Sequence, residues 1–211
     1  MIDPVKNMKW ALYPLGDVTQ WYGENEALYT KAFKVPYADY YKQAGGFVHS
    51  GIDIVRPHEE HIFTVCDGIV SKIVDDTDGY GNHIEITSNH DGYNLEWVYG
   101  HLDRMFVTKG QFVKAGQFIG TMGNTGFVVS NSTGNGFWNA NPYAGTHLHL
   151  GVRKKVASIV QDYYNKAFGR FDPLPLFLDP KLLSTKILKI ASYKQDKTLF
   201  NFSSILKQIG L

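Results

Sequence analysis

The sequence predicts a mainly β protein: a single antiparallel β domain with a groove over its sheet, an N-terminal arm and a C-terminal helical appendage. Three observations carry this. From about Phe47 to Val152 the chain is a series of short β-branched and aromatic runs cut by Gly, Asn and Asp. The runs recur every ~8 to 15 residues with no helical pattern between them, which is the spacing of antiparallel strands rather than of βαβ units. Finally, Asp78-Gly79-Tyr80-Gly81-Asn82 and Asn89-His90-Asp91-Gly92 carry residues that tolerate positive φ, so both read as hairpin turns.

In chain order, residues 1–46 read as an arm packed on the domain, with Pro14, Gly16, Gly23 and Pro36 as breakers and a short helix around 24–33. Residues 47–152 form the core domain. Its clearest strands are Gly68 to Val74, His83 to Thr87 and Asn94 to Tyr99. Residues 153–211 read as a helical extension. Within it, Ala157 to Ala167 shows helical spacing ended by Gly169, Pro173 and Pro175, and 198–209 forms a second amphipathic piece.

Composition excludes several classes of function. With 211 residues and 44% hydrophobic side chains, the chain can bury one core, and a second domain would leave both undersized. Its 21 basic and 20 acidic side chains leave a formal charge of +1, far from the positive field of a nucleic-acid binder. The run Arg153-Lys154-Lys155 reads as a solvated strand end. One cysteine, Cys66, excludes an intrachain disulfide and reads as a small core residue. MIDPVKNMKWALYPLG lacks the apolar stretch of a signal peptide, and no run approaches the ~18 apolar residues of a membrane span. Oligomeric state is left open.

The chemistry lies in the histidines. Of eight, four fall in three informative places: His49-Ser50-Gly51-Ile52-Asp53, Tyr99-Gly100-His101-Leu102 and His147-Leu148-His149. A catalytic zinc takes three protein ligands and keeps a fourth position for water, so two imidazoles and a carboxylate fill its needs. On a strand, His147 and His149 share one face while Leu148 and Leu150 pack on the other. The even spacing of His49 and Asp53 puts that pair on one face too, with Ile52 and Ile54 toward the core, and Gly51 suggests a bend or close approach. Spacing leaves open which of His147 and His149 is the ligand. His58-Glu59-Glu60-His61 is a decoy, since its histidines are three apart rather than the four of a zincin helix and Pro57 favours a turn. His83 and His90 read as hairpin residues.

HSGIDI, YGHL, KGQFVKAGQFIGTMGNTG and GTHLHL, in this order, resemble the signature of the lysostaphin-type (LytM-like) peptidoglycan metallopeptidases. The similarity extends over roughly residues 15–152, including VTQWYGEN. It implies that His49, Asp53 and His149 bind one Zn2+ per chain and that His101 and His147 are the non-ligand catalytic histidines. It further implies a zinc endopeptidase acting on peptidoglycan stem or cross-bridge peptides. The place of action would be the cell wall, whether extracellular, periplasmic or virion-associated.

Where typical relatives have a short connection, Phe127 to Gly145 inserts FVVSNSTGNGFWNANPYAG. Its aromatics Phe137, Trp138 and Tyr143, with Asn124 and Thr146, are candidate substrate contacts, and the competing reading is a loop packed on the domain body. Two other functions compete with this one. A silent wall-binding or activator module of the same fold would not need all five site residues, which are intact here. A biotinyl or lipoyl carrier resembles VTKGQFVKAGQFIGTMG but needs a lysine after Met122, where Gly123-Asn124-Thr125 stands.

Overall fold

The structure, a computed structural model, describes residues 17–90, 92–128 and 143–176. In chain order the elements begin with β1 (Asp17–Gln20), α1 (Glu26–Phe33), α2 (Ala38–Ala44), β2 (Ile52–Val55) and β3 (His61–Phe63). They continue with β4 (Gly68–Val74), β5 (His83–His90), β6 (Tyr93–Gly100), β7 (Leu102–Met105), β8 (Phe112–Val113) and β9 (Phe118–Met122). Then follow β10 (Leu148–Val156), β11 (Ile159–Val160), β12 (Arg170–Phe171) and a 3-10 turn at Leu174–Leu176. All described strand pairs are antiparallel.

The main sheet runs β1-β2-β10-β6-β5-β4-β8, with β11 and β12 also paired to β10, and a small sheet runs β3-β9-β7. Alternation sorts the main sheet's side chains. Leu148, Leu150 and Val152 of β10, Leu95, Trp97 and Tyr99 of β6 and Ile84 and Ile86 of β5 point to one face and are fully buried. Ile62, Leu102, Ile119 and Met122 of the small sheet join them in one cluster. Burying each such aliphatic side chain contributes ~1.5 to 3 kcal/mol, so this layer dominates folding. The Tyr99 hydroxyl accepts the Val65 N–H at 2.9 Å, which satisfies a polar group deep in the core. Cys66 is buried as expected, and burial pushes its thiol up to about 12.

The mainly β antiparallel fold matches the expectation, as do the strands around 68–74, 83–87 and 94–99. The helix around 24–33 forms as α1, and α2 follows after Pro36. The helix expected over Ala157 to Ala167 is not there. Those residues form a hairpin and a run of turns, with Ala157, Ser158, Asp162 and Lys166 all at positive φ. Two aromatics of that span serve another purpose: Tyr163 and Tyr164, with Phe168 just beyond it, gather around Tyr40 of α2, at ring separations of 5.4, 5.4 and 4.2 Å. Tertiary packing overrides the local period. Arg153 and Lys155 are not a solvated strand end, because both pair with the buried Glu96. Residues 198–209 lie outside the described residues.

Candidate metal centre

The opposite face of the main sheet carries the polar cluster. β2 and β10 are paired so that His149 lies directly across from Asp53. Cross-strand neighbours share a face, so this register alone brings a carboxylate and an imidazole together. His49 reaches them from the bend before β2. His49 Nε2, Asp53 Oδ1 and His149 Nδ1 are mutually 3.0 Å apart. All three residues are buried, and together they form a group able to hold a metal ion.

Tautomers test whether a cation fits. His49 Nδ1 donates to the Trp21 carbonyl at 2.9 Å, which leaves Nε2 with a lone pair aimed at the Asp53 carboxylate and at His149. Acceptor atoms packed this closely repel one another unless a proton or cation lies among them. A tetrahedral zinc with bonds of ~2.0 to 2.2 Å needs ligand atoms about 3.3 to 3.6 Å apart, slightly wider than this triangle. The donor set and its backbone-anchored tautomer therefore fit zinc. Gly51 makes room for the triangle, since a Cβ there would stand 2.8 Å from His149 Nε2 and 2.4 Å from the Leu150 carbonyl oxygen.

His101 and His147 flank this group. His101 sits at φ 62, the corner where the chain leaves β6 of the main sheet for β7 of the small one. Its Nδ1 donates to the Thr125 carbonyl at 2.7 Å, and the Nδ1 of His147 donates to the Gly145 carbonyl at 2.6 Å. Both rings thus turn a bare Nε2 away from the backbone. The rings lie 4.6 Å apart, and His147 Nε2 is 3.6 Å from Asp53 Oδ1.

Electrostatics divides the cluster. Burial, reinforced by His147 and His149, holds His101 well below the ordinary histidine range. Burial pulls His149 down to about 4 against the lifting effect of Asp53. Burial also opposes charge on His49, but Asp53 beside it more than compensates and raises it. Asp53 resists its own burial, and the neighbouring His147 and His49 keep it well below the usual carboxylate range. Of the triangle, His149 is thereby held neutral beside an ionised Asp53, while His49 shares a proton with that carboxylate which a bound cation would displace.

The cluster forms one end of a cavity of about 430 Å³. Its walls include Tyr29 and Phe33 of α1, Tyr80 of the β4–β5 turn, Phe127, and Lys72, His83, Glu85, Arg153 and Arg170 on the sheet face. Tyr29 stacks on His49 at 5.7 Å, and Tyr80 lies 5.0 Å from His149 with its hydroxyl 2.8 Å from Ser50 Oγ. Sequence reasoning missed Tyr29, Tyr80, His83 and Arg170. Only Tyr80 left a local signal, as the lone aromatic in a Gly-rich turn.

The other candidates lie elsewhere. Asn124 is buried, and its amide donates to the Ala144 carbonyl at 3.1 Å, tying the 123–126 turn to the segment leading into His147. Thr146 donates to the Tyr143 carbonyl at 2.8 Å, and the 60%-exposed Tyr143 ring packs 4.7 Å from His58. None of these three lines the cavity. Phe137 and Trp138 lie outside the described residues. The 58–61 decoy is a turn running into β3, with Glu59 at φ 64 rather than on a helix.

Known proteins resemble this chain in sequence and in fold. The model of peptidase family M23 matches residues 47–161. The murein hydrolase activator NlpD of Escherichia coli is 35% identical over 111 residues, which are 53% of this chain and 24% of that protein. Lysostaphin of Staphylococcus simulans is 33% identical over 94 residues, 44% of this chain and 19% of that protein. The chain thus spans less than a third of the length of the curated relatives it matches. In fold, it is similar to a mutant catalytic domain of the prophage-encoded M23 protein EnpA from Enterococcus faecalis. That likeness has a TM-score of 0.51 at 23% identity and covers 80% of this chain and 96% of that one. With its family model matched over more than half its length and the lysostaphin-type motifs in order, the chain belongs to peptidase family M23.

Proposed function

We propose that this protein is a zinc-dependent endopeptidase that hydrolyses peptide bonds in the stem or cross-bridge peptides of bacterial peptidoglycan, with 47–152 as its core, 1–46 as an arm and 153–211 as an extension. His49, Asp53 and His149 would hold one zinc ion. The metal would supply Lewis-acid activation of a water molecule at neutral pH. One observation carries the reading: two further histidines stand beside the ligand triangle, each fixed by its Nδ1–H on a backbone carbonyl so that Nε2 faces the cluster. A site that only bound metal would have no use for this second pair.

Their neutral Nε2 atoms can take a proton from water, and in the protonated state can donate to the developing oxyanion or to the leaving amine. His101, held neutral by burial, suits the accepting role. The place of action is the cell wall, and the partner is a peptidoglycan peptide seated in the cavity. Phe127, the first residue of the loop 127–145 that we read as a groove wall, lines the cavity, while 129–142 lie outside the described residues.

A second reading has specific support, because NlpD is by name a hydrolase activator. Zinc-loaded protein incubated with purified walls and synthetic cross-bridge peptides distinguishes the two. Release of new amino termini, abolished by chelation and restored by zinc, is the expected result. His101→Ala and His147→Ala are each expected to keep stoichiometric zinc and lose about a hundredfold or more in rate. Full zinc occupancy without cleavage, together with stimulation of a separate wall hydrolase, would establish the activator reading instead.

A further inference from the structure

The cavity has a second polar end that the zinc chemistry does not use. Arg170 lies on β12, in register with Arg153 of β10, and its stem rests on Gly151, where an added Cβ would come 3.0 Å from Arg170 Cδ and 3.1 Å from Nε. Gly151 is two residues beyond His149 on the same sheet face, so Arg170 projects along the row that holds the ligands. Its backbone is tightly held: its carbonyl accepts Tyr22 OH at 2.8 Å and Asn165 Nδ2 at 2.7 Å, and its N–H donates to Ala167 at 3.0 Å.

The guanidinium is not paired. Arg170 is only 3% exposed, yet its Nε is buried with no acceptor, and its side chain has no ion-pair or hydrogen-bond partner among the described residues. Its Cζ lies 5.1 Å from the centroid of the Tyr80 ring, a cation–π contact that leaves the N–H fork unused. Buried cations are normally paired, and an unused buried donor is costly, so a site that keeps one is arranged for an incoming acceptor.

The surrounding charge has the matching sign. Lys72, Arg153 and Arg170 line this end of the cavity, and Glu96 neutralises Arg153 from behind. The lining carboxylate here is Glu85, which lies across from Lys72 in register and 3.9 Å from His83 Nε2. Tyr80 bridges the two ends, with Arg170 on one side and the His149 ring 5.0 Å away on the other.

From this geometry we infer that Arg170, with Lys72 and Tyr80, forms a carboxylate-recognition subsite selecting peptides that carry a free carboxylate close to the bond cut at the metal. The planar guanidinium offers the two parallel N–H groups that a carboxylate accepts. The subsite rests on the reading of the cavity as a peptide groove.

The test uses a wall-type peptide with one side-chain carboxylate and a free C-terminus, along with its two singly amidated forms. Zinc-loaded wild type is expected to favour the peptide with the recognised carboxylate by about tenfold or more in kcat/KM, mostly through KM. The two amidated forms show whether that carboxylate is terminal or on the side chain. Arg170→Gln should erase the preference, bringing kcat/KM on the recognised peptide down to that on its amidated form, and Arg170→Lys should restore part of it. Equilibrium binding of the three peptides to the zinc-loaded His101→Ala, His147→Ala double variant reads the same preference without turnover. Carboxylate-dependent binding without cleavage by wild type would remove the endopeptidase reading and keep the subsite. Equal affinity of wild type for all three peptides, absence of binding at millimolar concentration, or uniform weakening of all three by Arg170→Gln would overturn it. Thermal stability separates a structural role: removing an unpaired buried charge should leave the melting temperature of Arg170→Gln unchanged or higher, and a substantially lower one also overturns the proposal.

Discussion

On one face of β10, Leu148, Leu150 and Val152 are sealed in the core cluster they share with the small sheet; on the other, His149 and Arg153 line a cavity. Backbone geometry is common to both faces, yet the first lowers the free energy of the fold and the second raises it by crowding buried imidazoles, a carboxylate and an unpaired guanidinium together. A strand two residues in period can thus hold an expensive site on one side because the other side supplies the stability.

The largest expected contrast comes from substituting adjacent residues on opposite faces. Leu150→Ala removes a fully buried side chain and should cost ~2 to 5 kcal/mol in chemical denaturation, while its folded fraction still binds zinc at full stoichiometry. His149→Ala should do the reverse, losing zinc and hydrolysis together with a smaller change in the stability of the metal-free protein. Metal loss from the leucine variant, or retained zinc in the histidine variant, would break the division between the faces.

A smaller effect tests the electrostatic side of the comparison in metal-free protein. His149 is held at about 4 and His101 well below its ordinary value, so as the pH falls from ~6.5 the unfolded chain takes up protons that the folded chain refuses. More protons bound in the unfolded state means stability falls with falling pH, by up to ~1.4 kcal/mol per pH unit for each such group. His49, raised by Asp53, works in the opposite sense, and His83, lowered by burial, adds to the loss. The melting temperature of the metal-free protein should therefore drop between pH 6.5 and about 4, and less steeply in His149→Ala. A flat profile in the wild type would mean that the imidazoles are not held neutral. Bound zinc should make the fall steeper, because His49 and His149 cannot take up protons while they hold the metal and the unfolded chain still can.

The same contrast explains what was legible in the sequence. Alternation exposes a core face to inspection, so Leu148, Leu150, Ile52 and Ile54 could be placed from spacing alone, and His147 with His149 followed as their complement. The metal triangle needed more: the 149-to-53 register links residues 96 apart, and no local pattern encodes that pairing. Motif resemblance supplied the grouping instead. Arg170 was illegible because its meaning depends on a partner it lacks, and a lone arginine in GRFDP looks like any surface arginine. Tyr163 and Tyr164 misled for a related reason, since they serve a cluster around Tyr40 rather than a helix of their own.

The smallest expected effect concerns the decoy histidines. His61 lies on β3, with its ring 4.8 Å from that of Phe118, and His58 faces Asp103 at 4.0 Å; neither borders the cavity. His58→Ala with His61→Ala should leave zinc stoichiometry and kcat unchanged, and stability within ~0.5 kcal/mol for each substitution, as expected of surface positions. One deviation would still be informative. The His58 ring packs 4.7 Å from Tyr143, and Tyr143 anchors Thr146 immediately before His147. If the 143–146 segment guides substrate toward His147, His58→Ala alone should raise KM modestly at constant kcat, whereas His61→Ala should not. Identical KM in both single variants would assign Tyr143 to packing and confine the recognition surface to the cavity between the His49-Asp53-His149 triangle and Arg170.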